Sequence, residues 1–161
     1  MYTPDFRKFL VYMHKKPRRG RSAAINMVIT STGAGKAVTK VIPSLKNKLT
    51  ANAVRVPTPN VSLAILKLNL KTKTSVDEIN ATINHASIKG NLVNQIDYQI
   101  DPELVSTDII GNNCCSVYDS KATIVNKEGN DAILYIWYDN EFGYACRVVD
   151  ILRYLCKQDW H

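Results

Sequence analysis

The chain has 161 residues, 45% hydrophobic and 22% charged, with 21 basic and 14 acidic side chains. This length fits one domain and buries about 70% of the unfolded surface, so neither disulfides nor a structural metal are needed. The composition excludes disordered and collagen-like proteins. No apolar run approaches the ~18 residues of a membrane span, and no signal peptide is evident. We expect a cytoplasmic protein with four reduced cysteines.

The net charge of +7 is concentrated near the start of the chain. Residues 1–24 contain seven basic side chains and one acid, so the rest of the chain is nearly neutral. A nucleic-acid-binding domain usually spreads its basic residues over a face or along a helix. We interpret residues 1–21 as a basic loop segment that binds small phosphates or, alternatively, polyanions. Residues 22–161 are interpreted as the folded domain.

The first predicted element of the domain is a helix. Residues 22–29 are apolar and ambiguous in type, but Thr30-Ser-Thr-Gly33 is typical of a helix start because hydroxyls accept hydrogen bonds from free N–H groups. Apolar residues then recur at helical spacing until Pro43. Such a start favours an anion, although a simple helix cap explains the same residues.

A second group of elements follows Arg55. Two prolines make a rigid, extended lead-in, and the guanidinium on it presents paired donors that match phosphate or carboxylate. An ordinary surface arginine would give the same pattern. Residues 61–70 are predicted to form a strand. Within it, Leu66, Leu68 and Leu70 alternate with polar residues, which indicates one buried face. Ser75-Val-Asp-Glu78 is a capping box, which predicts a second helix.

Three more strands are predicted at residues 105–108, 122–125 and 133–138, with a tight turn at 127–130 joining the last two as a hairpin. A final helix follows, capped by Asp139 or Asn140. Its predicted core-facing stripe is Ala145, Val148, Val149, Leu152, Leu155 and Cys156, with Arg147, Asp150, Arg153 and Lys157 facing out. The irregular alternation predicts an α+β domain with a mixed, mostly antiparallel sheet and helices packed on one face.

The histidines and cysteines indicate no metal site and no catalytic thiol. The three histidines are far apart in sequence and lack the spacing of metal ligands. Cys114 and Cys115 have no histidine nearby in sequence, which argues against a thiol nucleophile. Cys146 and Cys156 lie in the final helix and are predicted to be small core residues.

Several fragments in a fixed order carry a family resemblance. They include Arg18-Arg-Gly-Arg-Ser-Ala-Ala24, Thr30-Ser-Thr-Gly-Ala34, Arg55-Val-Pro-Thr-Pro-Asn-Val-Ser62, Trp137-Tyr-Asp-Asn-Glu-Phe-Gly-Tyr144 and Arg147-Val-Val-Asp150. Over residues 12 to 158 the chain resembles the C-terminal, catalytic domain of phosphorylating glyceraldehyde-3-phosphate dehydrogenase. The resemblance implies the fold of that domain and the NAD-dependent oxidative phosphorylation of an aldehyde in glycolysis.

The resemblance implies two phosphate positions. Arg55 would hold the phosphate of the substrate. Thr32 and Gly33, with Arg19 in the basic loop, would hold the attacking inorganic phosphate. Thr3 would correspond to another phosphate-binding threonine of the family.

The resemblance also implies contacts with NAD. Asn140 would contact the nicotinamide amide, and Tyr144 would pack near that ring. The seven glycines form no G-x-G-x-x-G motif, so the sequence encodes no dinucleotide-binding crossover. We therefore do not expect this chain alone to bind NAD.

Three features of the resembled family are absent from this sequence. They are the N-terminal NAD-binding domain, the nucleophilic cysteine in a Cys-Thr-Thr-Asn context, and the histidine that acts as its base. We therefore expect the isolated chain to be inactive, and three hypotheses for its function remain. The first is a dehydrogenase domain whose cofactor half is separate, lost or removed, and the second is a non-catalytic relic that binds phosphate compounds or joins related subunits. The third is a polyanion-binding protein. The expected partners are phosphorylated small molecules or inorganic phosphate and copies of this or a full-length subunit, with no membrane and no nucleic acid.

Overall fold

The computed structural model describes residues 15–22 and 25–156. Most of the predicted basic loop segment, including Thr3, lies outside the described residues. The described residues belong to two units, one up to Pro59 and the other from Asn60.

The unit up to Pro59 contains a two-stranded antiparallel sheet and one α-helix. Its elements are a 3-10 turn (Pro17–Gly20), β1 (Val28–Ser31), α1 (Ala34–Val41), a second 3-10 turn (Pro43–Leu45) and β2 (Asn52–Arg55), with β1 paired to β2. The predicted helix is confirmed. Thr30 and Ser31, however, belong to β1, so the helix begins after Gly33 rather than within the hydroxyl-rich run.

The unit from Asn60 contains a five-stranded sheet and two helices. Its elements are β3 (Ser62–Asn69), α2 (Val76–Ile88), β4 (Ile96–Gln99), a 3-10 turn (Ser106–Ile109), β5 (Ser116–Asp119), β6 (Ile124–Val125), β7 (Asp131–Tyr138) and α3 (Asn140–Leu155). The order of strands is β3-β7-β5-β4, and β6 also pairs with β7. Only β4 and β5 are parallel among the described pairs. The predicted α+β fold with a mixed, mostly antiparallel sheet is confirmed.

The core of this unit lies between its sheet and α2. Tyr118, Ala132 and Leu134 are its buried centre, and all three lie on the central strands β5 and β7. Ile79 and Ile83 of α2 pack against them, one helical turn apart. A buried side chain of this kind contributes about 1.5–3 kcal/mol by leaving water, so this cluster supplies much of the unit's stability.

The predicted capping box at the start of α2 is confirmed. The Ser75 hydroxyl accepts a hydrogen bond from the Glu78 N–H at 3.2 Å, and the Glu78 carboxylate accepts one from the Ser75 N–H at 3.0 Å. The Thr74 hydroxyl also donates to the Glu78 carboxylate, at 2.8 Å. The hydrogen bonds from Thr74 and then Ser75 lower the pKa of Glu78 below its ordinary value, because they favour the charged form.

The predicted hairpin between β6 and β7 is confirmed, and its turn contacts the start of α2. Gly129 has a φ of +77°, and a Cβ atom there would lie 2.8 Å from the Thr74 carbonyl oxygen. The Thr74 N–H donates to the Gly129 carbonyl at 2.9 Å. Glycine is therefore required here both by its backbone angle and by the close approach of another chain segment.

The strand predicted at residues 105–108 is wrong, because Ser106–Ile109 form a 3-10 turn. The Asp108 carboxylate accepts a hydrogen bond from the Val105 N–H at 2.8 Å, and the Asp108 N–H donates to the Val105 carbonyl at 3.1 Å. These reciprocal local bonds occupy the backbone groups that a strand would pair with a neighbour.

The prediction that the apolar stripe of α3 faces the core of this chain is wrong. Val148, Leu152 and Leu155 are 39%, 55% and 68% exposed. Arg147 and Asp150, predicted to face out, are instead largely buried and form an ion pair at 2.8 Å. The pattern identified the apolar side of the helix correctly, but the described residues pack against its other side.

Candidate functional site

Thr32 and Gly33 lie at the junction between β1 and α1. The Thr32 hydroxyl accepts a hydrogen bond from the Ala34 N–H at 3.2 Å. Gly33 occupies the cap position, is exposed and has open space where a Cβ atom would stand. Since the first N–H groups of a helix lack partners within it and its dipole attracts negative charge, this junction favours an anion.

Arg19 lies next to this junction. It belongs to the 3-10 turn Pro17–Gly20, and its guanidinium donates to the Ser31 carbonyl at 3.5 Å, one residue before Thr32. The Lys16 ammonium donates to the Ser31 hydroxyl at 2.7 Å. The turn thus places cationic side chains at the end of β1, where the anion-favouring helix start follows.

A cleft of about 410 Å³ lies on the same turn. It is lined by Lys15, Lys16, Pro17, Arg18, Arg19, Ile29, Thr30 and Ser31. Four of these residues are cationic, and the isoleucine and proline give the cleft an apolar wall. Sequence reasoning found the charge of this segment but missed the cleft, because the contact between the turn and β1 joins residues more than ten positions apart.

Arg55 occupies a different end of the same small sheet. It is the last residue of β2, is exposed, and is paired with Val28, the first residue of β1. Thr32 instead follows the last residue of β1. The structure therefore brings Arg19 to Ser31, the residue before Thr32, and places Arg55 at the opposite end of the sheet, which gives two separate cationic positions.

Asp139 caps α3 and holds the surrounding loops to it. One carboxylate oxygen accepts hydrogen bonds from the N–H groups of Glu141 and Phe142, both at 3.1 Å. The other accepts from the Asn60 side chain at 3.2 Å and from the Gly111 N–H at 3.0 Å. Two residues were predicted as the cap of α3, and Asp139 is the one that caps it.

The hydrogen bonds determine the charge state of Asp139. Burial alone would raise the pKa of this carboxyl, because a charged group loses its hydration. The four donors outweigh that effect and lower the pKa below its ordinary value. Asp139 is thus a buried carboxylate held charged by its donors, which fixes the start of α3.

Asn140 and Tyr144 lie on one side of α3 near its start, four residues apart. The Asn140 side-chain N–H donates to the Ser62 hydroxyl at 2.9 Å, which orients the amide. Tyr144 is 73% exposed and presents its ring to solvent. An oriented amide oxygen beside an exposed aromatic ring can accept a hydrogen bond from a planar carboxamide and pack against its ring.

All four cysteines lie in the described part of the chain and are free thiols. Cys114 and Cys146 are half-buried, whereas Cys115 and Cys156 are exposed. The prediction of a core role is therefore wrong for Cys156, which shares the uncovered side of α3. No group of three or more histidine, cysteine or acidic side chains within residues 15–22 and 25–156 could hold a metal ion. Nor is any helix in those ranges long and apolar enough to cross a membrane.

Residues 2–140 match the protein family described as glyceraldehyde 3-phosphate dehydrogenase, C-terminal domain. The chain belongs to this family. It is 51% identical over 152 residues to a glyceraldehyde-3-phosphate dehydrogenase-like protein of Pseudomonas aeruginosa (strain UCBPP-PA14), covering 94% of this chain and 32% of that protein. It is 45% identical over 157 residues to glyceraldehyde-3-phosphate dehydrogenase 1 of Bacillus subtilis (strain 168), covering 98% of this chain and 46% of that protein.

A third relative is the glyceraldehyde-3-phosphate dehydrogenase of Echinococcus multilocularis, 47% identical over 144 residues, or 88% of this chain and 42% of that protein. The chain thus spans 32–46% of the length of these curated relatives. The family resemblance of the quoted fragments is confirmed.

NAD is the cofactor that this family normally uses. An amide oriented by Ser62 and an exposed aromatic ring are groups of the kind that can contact a carboxamide-bearing ring such as nicotinamide. The chain has no glycine-rich crossover that would fit the pyrophosphate. The residues present therefore match one end of the cofactor only.

Proposed function

We propose that this chain supplies the phosphate-binding and nicotinamide-facing residues of a glyceraldehyde-3-phosphate dehydrogenase-like oxidoreductase. The observation that carries the proposal is the contact of Arg19 with the end of β1, immediately before the helix start at Thr32 and Gly33. A guanidinium beside free N–H groups is a good anion-binding arrangement. Arg55 provides the second cationic position that a phosphorylated substrate requires.

In the proposed reaction the residues of this chain bind and orient reactants. Arg55 holds the phosphate of the aldehyde substrate. Thr3, which lies outside the described residues, is proposed as a further phosphate-binding residue. Arg19, Thr32 and Gly33 hold the inorganic phosphate that enters the product. Two separated anion positions suit a reaction that must bind a phosphate ester and free phosphate together.

Asn140 and Tyr144 orient the nicotinamide in the proposed mechanism. The hydrogen bond to Ser62 fixes the Asn140 amide, so its oxygen can accept from the carboxamide group. NAD, when bound, accepts the hydride of the aldehyde. Asp139 supports this contact indirectly, since it holds the turn of α3 on which both residues lie.

The isolated chain is proposed to be inactive. None of its four cysteines has the Cys-Thr-Thr-Asn context of the family nucleophile. Burial, more than any nearby charge, raises the pKa of Cys114, which disfavours the thiolate that a nucleophile needs. Catalysis therefore needs a polypeptide that supplies the nucleophile, the base and the rest of the NAD site.

We also propose association with a copy of this chain or with a full-length subunit of the family, in the cytoplasm. Family members are typically homo-oligomers. The exposed apolar side of α3, which includes Ile151, Leu152 and Leu155, favours a second candidate function in which the chain is a non-catalytic subunit-interaction module. Free thiols suit a reducing compartment.

The test is calorimetric titration of the purified chain with inorganic phosphate and with glyceraldehyde-3-phosphate. Arg55→Ala should weaken binding of the phosphorylated aldehyde about tenfold, because charge-assisted hydrogen bonds are lost. Lys40→Ala, a change in an exposed cation of α1 away from the site, is the matched control and should leave binding unchanged. Equal affinities for both variants would remove Arg55 from the site.

Two further measurements separate the enzyme domain from the interaction module. Turnover of glyceraldehyde-3-phosphate with NAD should be absent for the chain alone, and activity of the pure chain that disappears in Cys114→Ser would contradict the proposal. Size-exclusion chromatography with a full-length family member tests association. Association without any phosphate binding would favour the interaction module.

A further inference from the structure

One side of α3 packs directly against the loop that precedes β5. Gly143 is buried, and a Cβ atom there would lie 3.2 Å from the Cys114 carbonyl oxygen. One turn further along, the Arg147 guanidinium donates to the carbonyls of Asn94 and Asn113, at 3.2 and 3.4 Å. The turn from 143 to 147 therefore lies on residues 113 and 114.

Cys146 lies on that packed side. It is three residues after Gly143, so the two share a helix face, and it is half-buried. Side chains on an α-helix lean toward its N-terminus, which carries the Cys146 thiol back over Gly143. Because Gly143 has no side chain, it places no atoms between the Cys146 thiol and the Cys114 segment against which the helix packs.

The surroundings of Cys114 keep its thiol protonated and in place. Its N–H donates to the Asn112 side chain at 2.9 Å, and its sulfur lies 3.7 Å from the Asn113 amide oxygen. Burial and then the Asp97 carboxylate raise the pKa of Cys114, negative charge on Cys115 or Cys146 raises it further, and Arg147 opposes them. A raised pKa makes Cys114 a poor first nucleophile, so its part in a disulfide depends on the closeness of a sulfur that has already been oxidised.

We propose that Cys114 and Cys146 are a modification site that forms a reversible intrachain disulfide when the protein meets a peroxide. One sulfur attacks a peroxide oxygen, the O–O bond breaks, and a sulfenic acid and one water form, with the thiol proton leaving in that water. The second sulfur then attacks the sulfenic sulfur, the S–S bond forms, and hydroxide leaves as water with the second thiol proton. The two sulfurs lose two electrons in all, and the peroxide gains them.

The disulfide would connect the loop before β5 to the second turn of α3. Cys115 is exposed, and its sulfur lies 3.4 Å from the Gln95 amide oxygen rather than toward α3. Cys156 lies at the far end of the helix, on its uncovered side. The pairing is therefore specific to two of the four cysteines.

The experiment treats the full chain with one to two equivalents of hydrogen peroxide, alkylates free thiols and digests with trypsin without reduction. Cys114 and Cys146 fall in separate tryptic peptides, 90–121 and 128–147. We expect these peptides linked, with Cys115 alkylated, in a chain that remains monomeric on a non-reducing gel. Alkylatable thiols should fall from four to two and return to four with dithiothreitol.

Single substitutions assign the sulfurs. Cys115→Ser and Cys156→Ser should retain the link, whereas Cys114→Ser and Cys146→Ser should lose it. A disulfide between Cys114 and Cys115, a link between two chains, a link that survives in Cys114→Ser, or four unchanged thiols would each overturn the proposal. The mapping of the unsubstituted chain decides the matter even where a variant fails to fold.

Discussion

The two units of the chain keep their apolar side chains in different places. In the unit from Asn60, Tyr118 and Leu134 are buried between the sheet and α2. In the unit up to Pro59, apolar side chains of the small sheet such as Ile29 and Val54 remain more than half exposed. The described phosphate-site candidates lie on that second, weakly packed unit.

This difference indicates a division between stability and binding. A site on a short two-stranded sheet gains little stability from that sheet, because two strands alone are marginal in water. Substitutions of buried residues in the unit from Asn60 should lower its free energy of unfolding strongly. Changes at the cationic positions should instead affect ligands and leave folding nearly unchanged.

The largest expected effect is in the core of the unit from Asn60. Leu134→Ala should lower the free energy of unfolding by about 2–5 kcal/mol, since it removes buried methyl groups and leaves a cavity. Leu155→Ala, at an exposed position, should change it by less than about 0.5 kcal/mol. Urea denaturation followed by circular dichroism measures both, and comparable losses would break the comparison between packed and uncovered leucines.

The next effect concerns the buried carboxylate at the start of α3. Asp139→Asn should cost about 1–3 kcal/mol, because hydrogen bonds to a charged acceptor are weakened. Since the pKa of Asp139 is lowered in the folded chain, its stabilising contribution is complete above the unfolded pKa of about 3.9 and is lost as the pH falls through the folded value.

The variant should accordingly show a smaller loss of stability than the original chain when the pH falls through that window. Denaturant midpoints measured between pH 6 and the acid limit of folding provide the check. Parallel pH profiles for the two proteins would show that Asp139 is not the titrating group.

A smaller effect is expected at the start of α2. Ser75→Ala removes the hydroxyl that accepts from the Glu78 N–H and should cost about 1 kcal/mol. Ser87→Ala, in the last turn of the same helix, leaves the cap intact and serves as the control. Thermal unfolding of both proteins distinguishes a cap from a general loss of a serine hydroxyl.

The smallest effect on stability is expected at Arg55. Arg55→Ala should change the free energy of unfolding by less than about 0.5 kcal/mol, because the side chain is exposed. The same variant should lose affinity for phosphorylated aldehyde in the calorimetric titration described above. A large loss of stability would show that the unit up to Pro59 depends on its cationic residues for folding. Binding and stability would then not be divided between the two units.

Local signals in the sequence predicted the elements that depend on local contacts. The capping box at Ser75 and the hairpin turn before β7 both have nearby partners in the chain. β4 and β5 were missed, because a parallel pair of four-residue strands shows neither a turn between them nor a long alternating pattern. Val105 and Asp108 misled the prediction because a carboxylate can replace strand pairing locally.

The candidate site divides in the same way. The helix start at Thr32 and Gly33 and the anion-matching guanidinium of Arg55 follow from residue chemistry. The specific ligands assigned to Arg55 and Asn140 came only from resemblance to a family. The contact between Arg19 and Ser31 could not be predicted, because it depends on how a loop folds back onto a strand. The prediction that the apolar side of α3 faces the core was wrong, because periodicity identifies an apolar side of a helix but does not show what packs against it.

The close approach of Gly129 to Thr74 has a practical consequence for protein engineering. Hairpin tips are common places to insert an epitope or a fluorescent reporter, because most of them touch nothing else. Here an insert after Glu128 would separate the Gly129 carbonyl from the Thr74 N–H and push against the start of α2. The turn at Gly90, where a Cβ atom would meet nothing within 4 Å, is the better place for such an insert, provided that the glycine itself is kept because of its φ of +94°.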